Sequence, residues 1–209
     1  MQSVAPMGQS PGHHPATRAT LAVGSRLTCR KGWVTRCMAN ELHTAHSIRP
    51  FAASDAESVV DLVLTIQRQE FGVPITADEQ PDLLNVSAYY QRAQGNFWVA
   101  SDNGRIVGTI GLLDVVDAYR VLRKMFVAAS HRGTGLAAEL LQTCLSWARL
   151  AGMTEVMLGT TEGMKAAHRF YEKRGFVEVT AVSLPSSFPR MRVDTKFYRY
   201  RLDRRLGDF

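Results

Sequence analysis

Cysteine is scarce in this chain: there are three among 209 residues, Cys29, Cys37 and Cys144, and no C-x-x-C pair. That usage offers no disulfide framework, and no cluster of histidines completes a metal-binding spacing. His13-His14 stand in a stretch rich in proline and glycine. No metal is expected. Long apolar runs are missing too. None approaches the roughly 18 residues that a membrane span needs, so no membrane partner is expected. Two phosphate-binding patterns are also absent. There is no G-x-x-x-x-G-K-[ST], which excludes a P-loop nucleoside triphosphatase, and no G-x-G-x-x-G, which argues against a dinucleotide fingerprint.

Acidic residues are outnumbered, giving a net charge of +6. The excess is lopsided. Residues 1–46 carry five of the 25 basic residues (Arg18, Arg26, Arg30, Lys31, Arg36) and one of the 19 acidic ones (Glu41), leaving 20 bases against 18 acids in the remainder. A remainder this balanced lacks the broad basic face of a nucleic-acid binder. Its bulk composition, 45% hydrophobic and 21% charged over the whole chain, is ordinary for a globular protein of one domain.

The first 46 residues show no sustained hydrophobic period. Pro6, Pro11, Pro15 and four glycines up to Gly32 predict an unstructured tail. Two accounts of it stand. It lies upstream of a natural start at Met38, the preferred account, or it is a targeting peptide, since it bears Arg, Ser and Thr and no acid before Glu41. A folded domain is expected over 47–205.

Within that domain the pattern predicts a strand at Ser47–Phe51. A helix follows from a Ser54 cap with Glu57 completing a capping box, carried to about Glu70 by Val59, Val60, Val63, Leu64 and Ile66. A loop over Phe71–Asp82 and a short helix over Leu83–Ala93 come next. Phe97–Ala100, an Asn103-Gly104 turn and Arg105–Leu113 read as a hairpin. Tyr119–Val127 is a strand, Leu136–Leu150 a helix, Val156–Gly159 a strand, and Lys165–Arg174 a helix closed by Gly175. Phe176–Val182 and Val193–Leu202 are the last strands. The fold class is α/β (α+β): a mixed, mostly antiparallel sheet of about seven strands with helices on both faces.

What is present is a glycine turn between a strand and a helix: Arg132-Gly133-Thr134-Gly135-Leu136-Ala137. Glycines admit positive φ and close approach of the backbone to an anion. Successive N–H groups then converge at the positive end of a helix dipole, a seat for phosphate. Arg132 adds a forked cationic donor. About 35 residues on comes Phe170-Tyr171-Glu172-Lys173-Arg174-Gly175-Phe176. The pair R-x-x-G-x-A and F-Y-E-K-x-G-F, in that order, resembles the GNAT family of N-acetyltransferases.

That resemblance implies acetyl-CoA as donor, with a primary amine attacking its thioester directly. It places the pyrophosphate on Arg132, Gly133, Thr134, Gly135, Leu136 and Ala137. It places Met125 and Phe126 along the pantetheine arm and the Val127 backbone N–H on the oxygen that gains charge in the transition state. It makes Tyr171 the acid that protonates the leaving thiolate. An unperturbed tyrosine titrates at about 10, near enough to a thiol's ~8.5 to donate. Two departures stand out. The strand Arg120-Val121-Leu122-Arg123-Lys124 holds no carboxylate where many relatives keep a glutamate base. Met164 occupies a position where the family commonly has Asn, so Thr160 or Thr161 or backbone groups are left to hold the arm. Glu162 is the best-placed candidate base, with Asp114 and Asp117 as alternatives.

Residues 184–194 form an insert between the last two strands, similar to one found in a subset of bacterial acetyltransferases. Arg190, Arg192 and Lys196 are candidates for an acceptor carboxylate. The expectation is therefore a cytoplasmic N-acetyltransferase acting on a small amine or amino-acid-like acceptor, with a homodimer possible. The alternatives are a protein N-terminal or lysine acetyltransferase and a non-catalytic acyl-CoA sensor.

Overall fold

Seven strands make one sheet in the computed structural model, which describes residues 46–115 and 118–202. The tail, Asp117 and residues 203–205 lie outside the described residues. β1 (His46–Pro50) pairs antiparallel with β2 (Asn96–Asp102), β2 with β3 (Arg105–Asp114), and β3 with β4 (Tyr119–Val127). β5 (Glu155–Thr160) runs parallel to β4. β7 (Lys196–Arg201) returns antiparallel to β5, and β6 (Val177–Val179) closes the far edge against β7. The order is β1-β2-β3-β4-β5-β7-β6.

Helices cover both faces, as the pattern predicts. On one face, α4 (Leu136–Leu150) crosses from β4 to β5 and buries Leu136, Leu140, Leu141, Cys144, Leu145 and Ala148. That spacing is the apolar stripe of an amphipathic helix. It packs on Trp98, Ile110, Leu122, Val156 and Leu158, and α5 (Lys165–Lys173) joins it through Tyr171. Fully burying each of these leucines is worth about 1.5–3 kcal/mol. On the other face, α1 (Ala56–Thr65), α2 (Pro81–Leu84) and α3 (Val86–Tyr90) bring Val59, Val63, Leu83, Val86 and Tyr90 against Phe51, Phe97 and Val99. Among the described residues, no helix is long and apolar enough to cross a membrane.

Several boundaries differ from the sequence expectation. The helix expected over Leu83–Ala93 is two, because Asn85 leaves helical φ/ψ and its side chain accepts the Ala88 N–H at 3.1 Å, capping α3. The end of α1 widens into a π turn over Ile66–Glu70, where Phe71 N–H reaches Ile66 O at 3.3 Å. β6 stops at Val179 and gives way to a 3-10 turn over Ala181–Ser183. β7 begins at Lys196, since Asp194 N–H bonds Met191 O and makes a turn of the preceding residues.

The Ser54/Glu57 capping box does not form. A short 3-10 turn, Ala53–Asp55, precedes α1, and Asp55 does the capping work. Its Oδ2 accepts the Ala52 N–H at 2.8 Å, and Arg49 grips both carboxylate oxygens at 2.6 and 2.8 Å. The Arg49 guanidinium holds the Asp55 carboxyl below the usual carboxylate range, against an opposing push from burial. A depressed carboxyl stabilises the fold above its unfolded pKa, and that contribution is lost as pH falls through the folded one. Asp55→Asn is therefore expected to cost about 1 kcal/mol at pH 7, with Arg49 partly exposed. Urea melts should show the gap between the variant and the parent closing below about pH 4. A gap independent of pH would show that the pair contributes nothing through charge.

Candidate active site

The site starts from one extra residue. Thr109 pairs with Phe126, and Gly111 pairs with Arg123. One residue of β3 thus faces two of β4, Lys124 and Met125, which is a β-bulge. Lys124 takes φ of 51°, and its displaced carbonyl is caught by the buried Thr109 hydroxyl at 2.7 Å. The bulge inverts the alternation of side chains. Before it, Leu122 faces α4 and Val121 the opposite side; after it, Met125 and Val127 face α4, and Phe126 the opposite side.

The bulged strand also leaves its parallel neighbour. β4 and β5 are in register only at Tyr119–Glu155, Arg120–Val156 and Val121–Met157. Beyond Met157 the two strands diverge into a fork. Ala128 donates its N–H to Val107 O at 2.9 Å, on the β3 side. Neighbouring peptide groups in a strand point opposite ways, so Val127 turns its N–H and C=O toward the fork. Its carbonyl there accepts the Arg132 Nε at 2.9 Å. The Met125 N–H shares the direction of Val127.

The glycine turn follows at the mouth of the fork. Gly133 and Gly135 take φ of 79° and 103°. Gly135 is the residue that starts α4, in a left-handed conformation that a Cβ would strain. Thr134 Oγ1 bonds His131 O at 2.8 Å, which closes the turn. Among the described residues no acceptor meets the N–H groups of Gly133, Thr134, Gly135 or Ala137. This is the geometry of an anion seat. Leu136 itself is buried in the core and anchors the helix end. Arg132 closes its fork on Glu70 at 2.5 and 2.9 Å, at the end of the π turn after α1. Glu70 is the charge within reach of it, and the pair is 44% and 30% exposed. An ion pair this exposed is weak, so an anion on the turn competes for Arg132 on even terms.

Tyr171 lies under the fork on the α4 side. It is buried among Phe170, Phe176 and Tyr198, and its hydroxyl stands 3.5 Å from Met125 Sδ. Burial raises its pKa far above the ordinary tyrosine value, so the near-match to a free thiol expected from sequence does not hold. The same burial raises the Cys144 thiol beside it. Thr160 directs its hydroxyl to Met164 Sδ at 3.5 Å, and His168 binds Thr161 O at 2.9 Å.

The opposite face of the fork is polar and charged. Lys124 Nζ is buried and donates to Gln80 at 2.6 Å, 3.3 Å from Asp82. Asp82 also accepts the Tyr90 hydroxyl at 2.5 Å, and Gln80 bonds Gln67. The bulge is thereby tied to the wall of α1, α2 and α3. Sequence reading passed over this cluster, because its members are scattered over 58 positions between Gln67 and Lys124. It also passed over Asp194, which is 8% exposed and lies against Gly159. Glu162, the expected base, is exposed; its N–H donates to Thr195 Oγ1 at 2.9 Å. Asp114 is tied to Arg120 at 2.7 Å. Lys196 is engaged with Glu178 at 2.8 and 2.9 Å, Arg190 lies over the Phe197 ring at 5.0 Å, and Arg192 is exposed.

Comparison with known proteins is consistent with this geometry. The family model described as acetyltransferase (GNAT) family matches residues 60–176. A probable N-acetyltransferase family 8 member 5 of Mus musculus is 36% identical over 102 residues, 46% of this chain and 45% of the relative. An N-acetylaspartate synthetase of Danio rerio is 35% identical over 130 residues, 58% of this chain and 46% of the relative. The chain thus spans about half the length of the curated relatives it matches. Among solved structures, an acetyltransferase of the GNAT family from Staphylococcus aureus MU50 superposes with a TM-score of 0.74 at 36% identity, covering 76% of this chain and all of the other.

The glycine turn can be tested directly. Gly135→Ala adds a Cβ whose nearest neighbour is 3.7 Å away, so crowding is minor and the strain is conformational. Calorimetry with coenzyme A is expected to show affinity falling about ten-fold, as the amides leave their common focus at a cost of roughly 1–2 kcal/mol. Unchanged affinity would remove the turn from the binding site.

Proposed function

The chain belongs to the acetyltransferase (GNAT) family, and we propose that it moves the acetyl group of acetyl-CoA to the primary amine of a small, amino-acid-like acceptor. The observation that carries this reading is the fork between β4 and β5, open beside main-chain donors and leading to a glycine turn with unclaimed amides. Gly133 to Ala137 would take the pyrophosphate. Met125, Phe126 and Val127 would flank the pantetheine arm as a fresh strand edge, a mode in which backbone bonds supply the affinity.

In this reading the acceptor amine attacks the thioester within a ternary complex. The Val127 N–H, pre-aimed into the fork, stabilises the oxyanion of the tetrahedral species. Such a fixed donor in a dry site is worth roughly 3–4 kcal/mol of barrier. Tyr171 then protonates the departing thiolate. The phenol is protonated at neutral pH as any tyrosine is; burial raises its pKa further and makes it a weaker acid, which the equally buried and destabilised thiolate beside it offsets. An amino-acid-like acceptor is favoured by the charged groups on the far face of the fork. It is supported too by a matched relative that is named as an N-acetylaspartate synthetase.

Two measurements test the reading. In an amine panel with acetyl-CoA and a thiol reagent, free coenzyme A should appear with at least one amino-acid-like acceptor. Tight acetyl-CoA binding with no turnover on any amine would instead establish a sensor, and turnover on peptides alone would establish a protein acceptor. Tyr171→Phe should lower kcat ten-fold or more while acetyl-CoA still binds. An unchanged kcat would remove Tyr171 from the mechanism.

A further inference from the structure

We propose that Asp194 is the base that takes the proton of the acceptor ammonium, a role that rests on the acetyl-transfer reading above. β4 carries no carboxylate for this task, and the sequence directs attention to Glu162, which faces solvent. Asp194 closes the turn before β7, and its side chain lies flat on Gly159 of β5. A Cβ at Gly159 would stand 2.4 Å from Asp194 Oδ2 and 2.5 Å from Cγ. Glycine at 159 is therefore what admits the carboxylate.

Position along the strand decides which part of the sheet Asp194 serves. Gly159 is two residues past Met157, the last residue of β5 in register with β4. The carboxylate thus stands beside the open part of the fork. Side-chain alternation decides the face. Met157 packs with Val121, Phe188 and Phe197, away from α4, and Gly159 shares its side. Tyr171 packs on the α4 side. Acid and base then flank the fork from opposite faces. The group that takes the amine proton is thereby kept apart from the group that protonates the thiolate, so the two proton transfers of addition and collapse use separate residues.

The electrostatics agree. The positive charges of Arg123 on β4, which donates to Pro189 O, and of Arg190 on the insert, which lies over the Phe197 ring, act on the carboxylate, and the Met191 N–H donates to Oδ2 at 3.0 Å. Burial outweighs these three and raises the pKa above the ordinary aspartate value, which makes Asp194 a stronger base. The competing buried carboxylate, Asp82, already holds Tyr90 and Lys124. Among the described residues, the Met191 N–H is the one hydrogen bond to the Asp194 carboxylate.

The proton count closes. The ammonium gives one proton to Asp194, which returns it to solvent. The neutral amine forms the C–N bond, giving the tetrahedral species, and its collapse breaks the C–S bond. The thiolate takes the Tyr171 proton, and the surplus proton on nitrogen restores the phenol through solvent.

The test is Asp194→Asn, whose amide oxygen can still accept the Met191 N–H. With an alkyl amine acceptor at pH 7, kcat/KM is expected to fall about 100-fold, while acetyl-CoA binding by calorimetry is unchanged. The loss should shrink as pH rises toward the amine pKa. It should nearly vanish with an acceptor of low basicity, such as a hydrazine or an aromatic amine, which is already neutral at pH 7. Gly159→Ala, which drives the carboxylate off its position, should show the same dependence with Asp194 intact, and it serves should the Asn variant melt. An equal loss at every pH and with both amine types, or no loss, would overturn the proposal alone. A parent protein that releases no coenzyme A with any amine would overturn it together with the acetyl-transfer reading.

Discussion

The architecture turns on the extra residue in β4. A non-glycine residue at φ of 51° is strained by roughly 1–2 kcal/mol, and it persists because its surroundings hold it. The Thr109 hydroxyl satisfies the carbonyl that the bulge pulls from the ladder. The Lys124 ammonium is buried against Gln80 and Asp82, a cost that only those partners offset. Strain of this kind, locked from two sides, is common at functional sites.

Three consequences follow from that bulge. The strand bends away from β5, so pairing ends after three registers and a fork opens. Peptide groups of Met125 and Val127 face that fork instead of a neighbouring strand. Side chains change sides, so Met125 reaches down to Tyr171 while Arg123 and Lys124 meet the wall of α1, α2 and α3 and the insert. One inserted residue thus separates a dry aromatic side from a charged one. The glycine turn and the start of α4 then set their unclaimed amides, the proposed anion seat, at the end of the same strand. Arg132 couples that seat to the end of α1 through Glu70.

The sheet, the faces of the long helices and the glycine turn were legible from sequence because their signals are local. The 3.6 period of α4, the Asn103-Gly104 hairpin and the glycines at 133 and 135 all state their conformations within a few residues. The short elements were not, since Asn85, Asp55 and Asp194 end or cap structure through specific hydrogen bonds that composition does not rank. The motif pair directed attention to the glycine turn, to Tyr171 and to Val127. It did not reveal the lifted pKa of Tyr171, because the burial that raises it is completed by Tyr198, Met125 and Cys144 from other elements. Nor did it reveal the Lys124 network or the contact of Asp194 with Gly159, which joins positions 35 apart through a strand pairing. Arg132 reads in sequence as a free phosphate ligand, and only the fold shows its fork closed on Glu70.

The central claim is that the fork and the glycine turn form one binding surface for coenzyme A. Amide hydrogen exchange, followed with and without acetyl-CoA, measures this most directly. Protection should rise together at the amides of Met125 and Val127 and of Gly133 to Ala137, with β1 and β2 unchanged. Protection absent from both segments, or confined to the shallow depression by Tyr119, Glu155 and Ser187 at the far end of β4 and β5, would contradict the account.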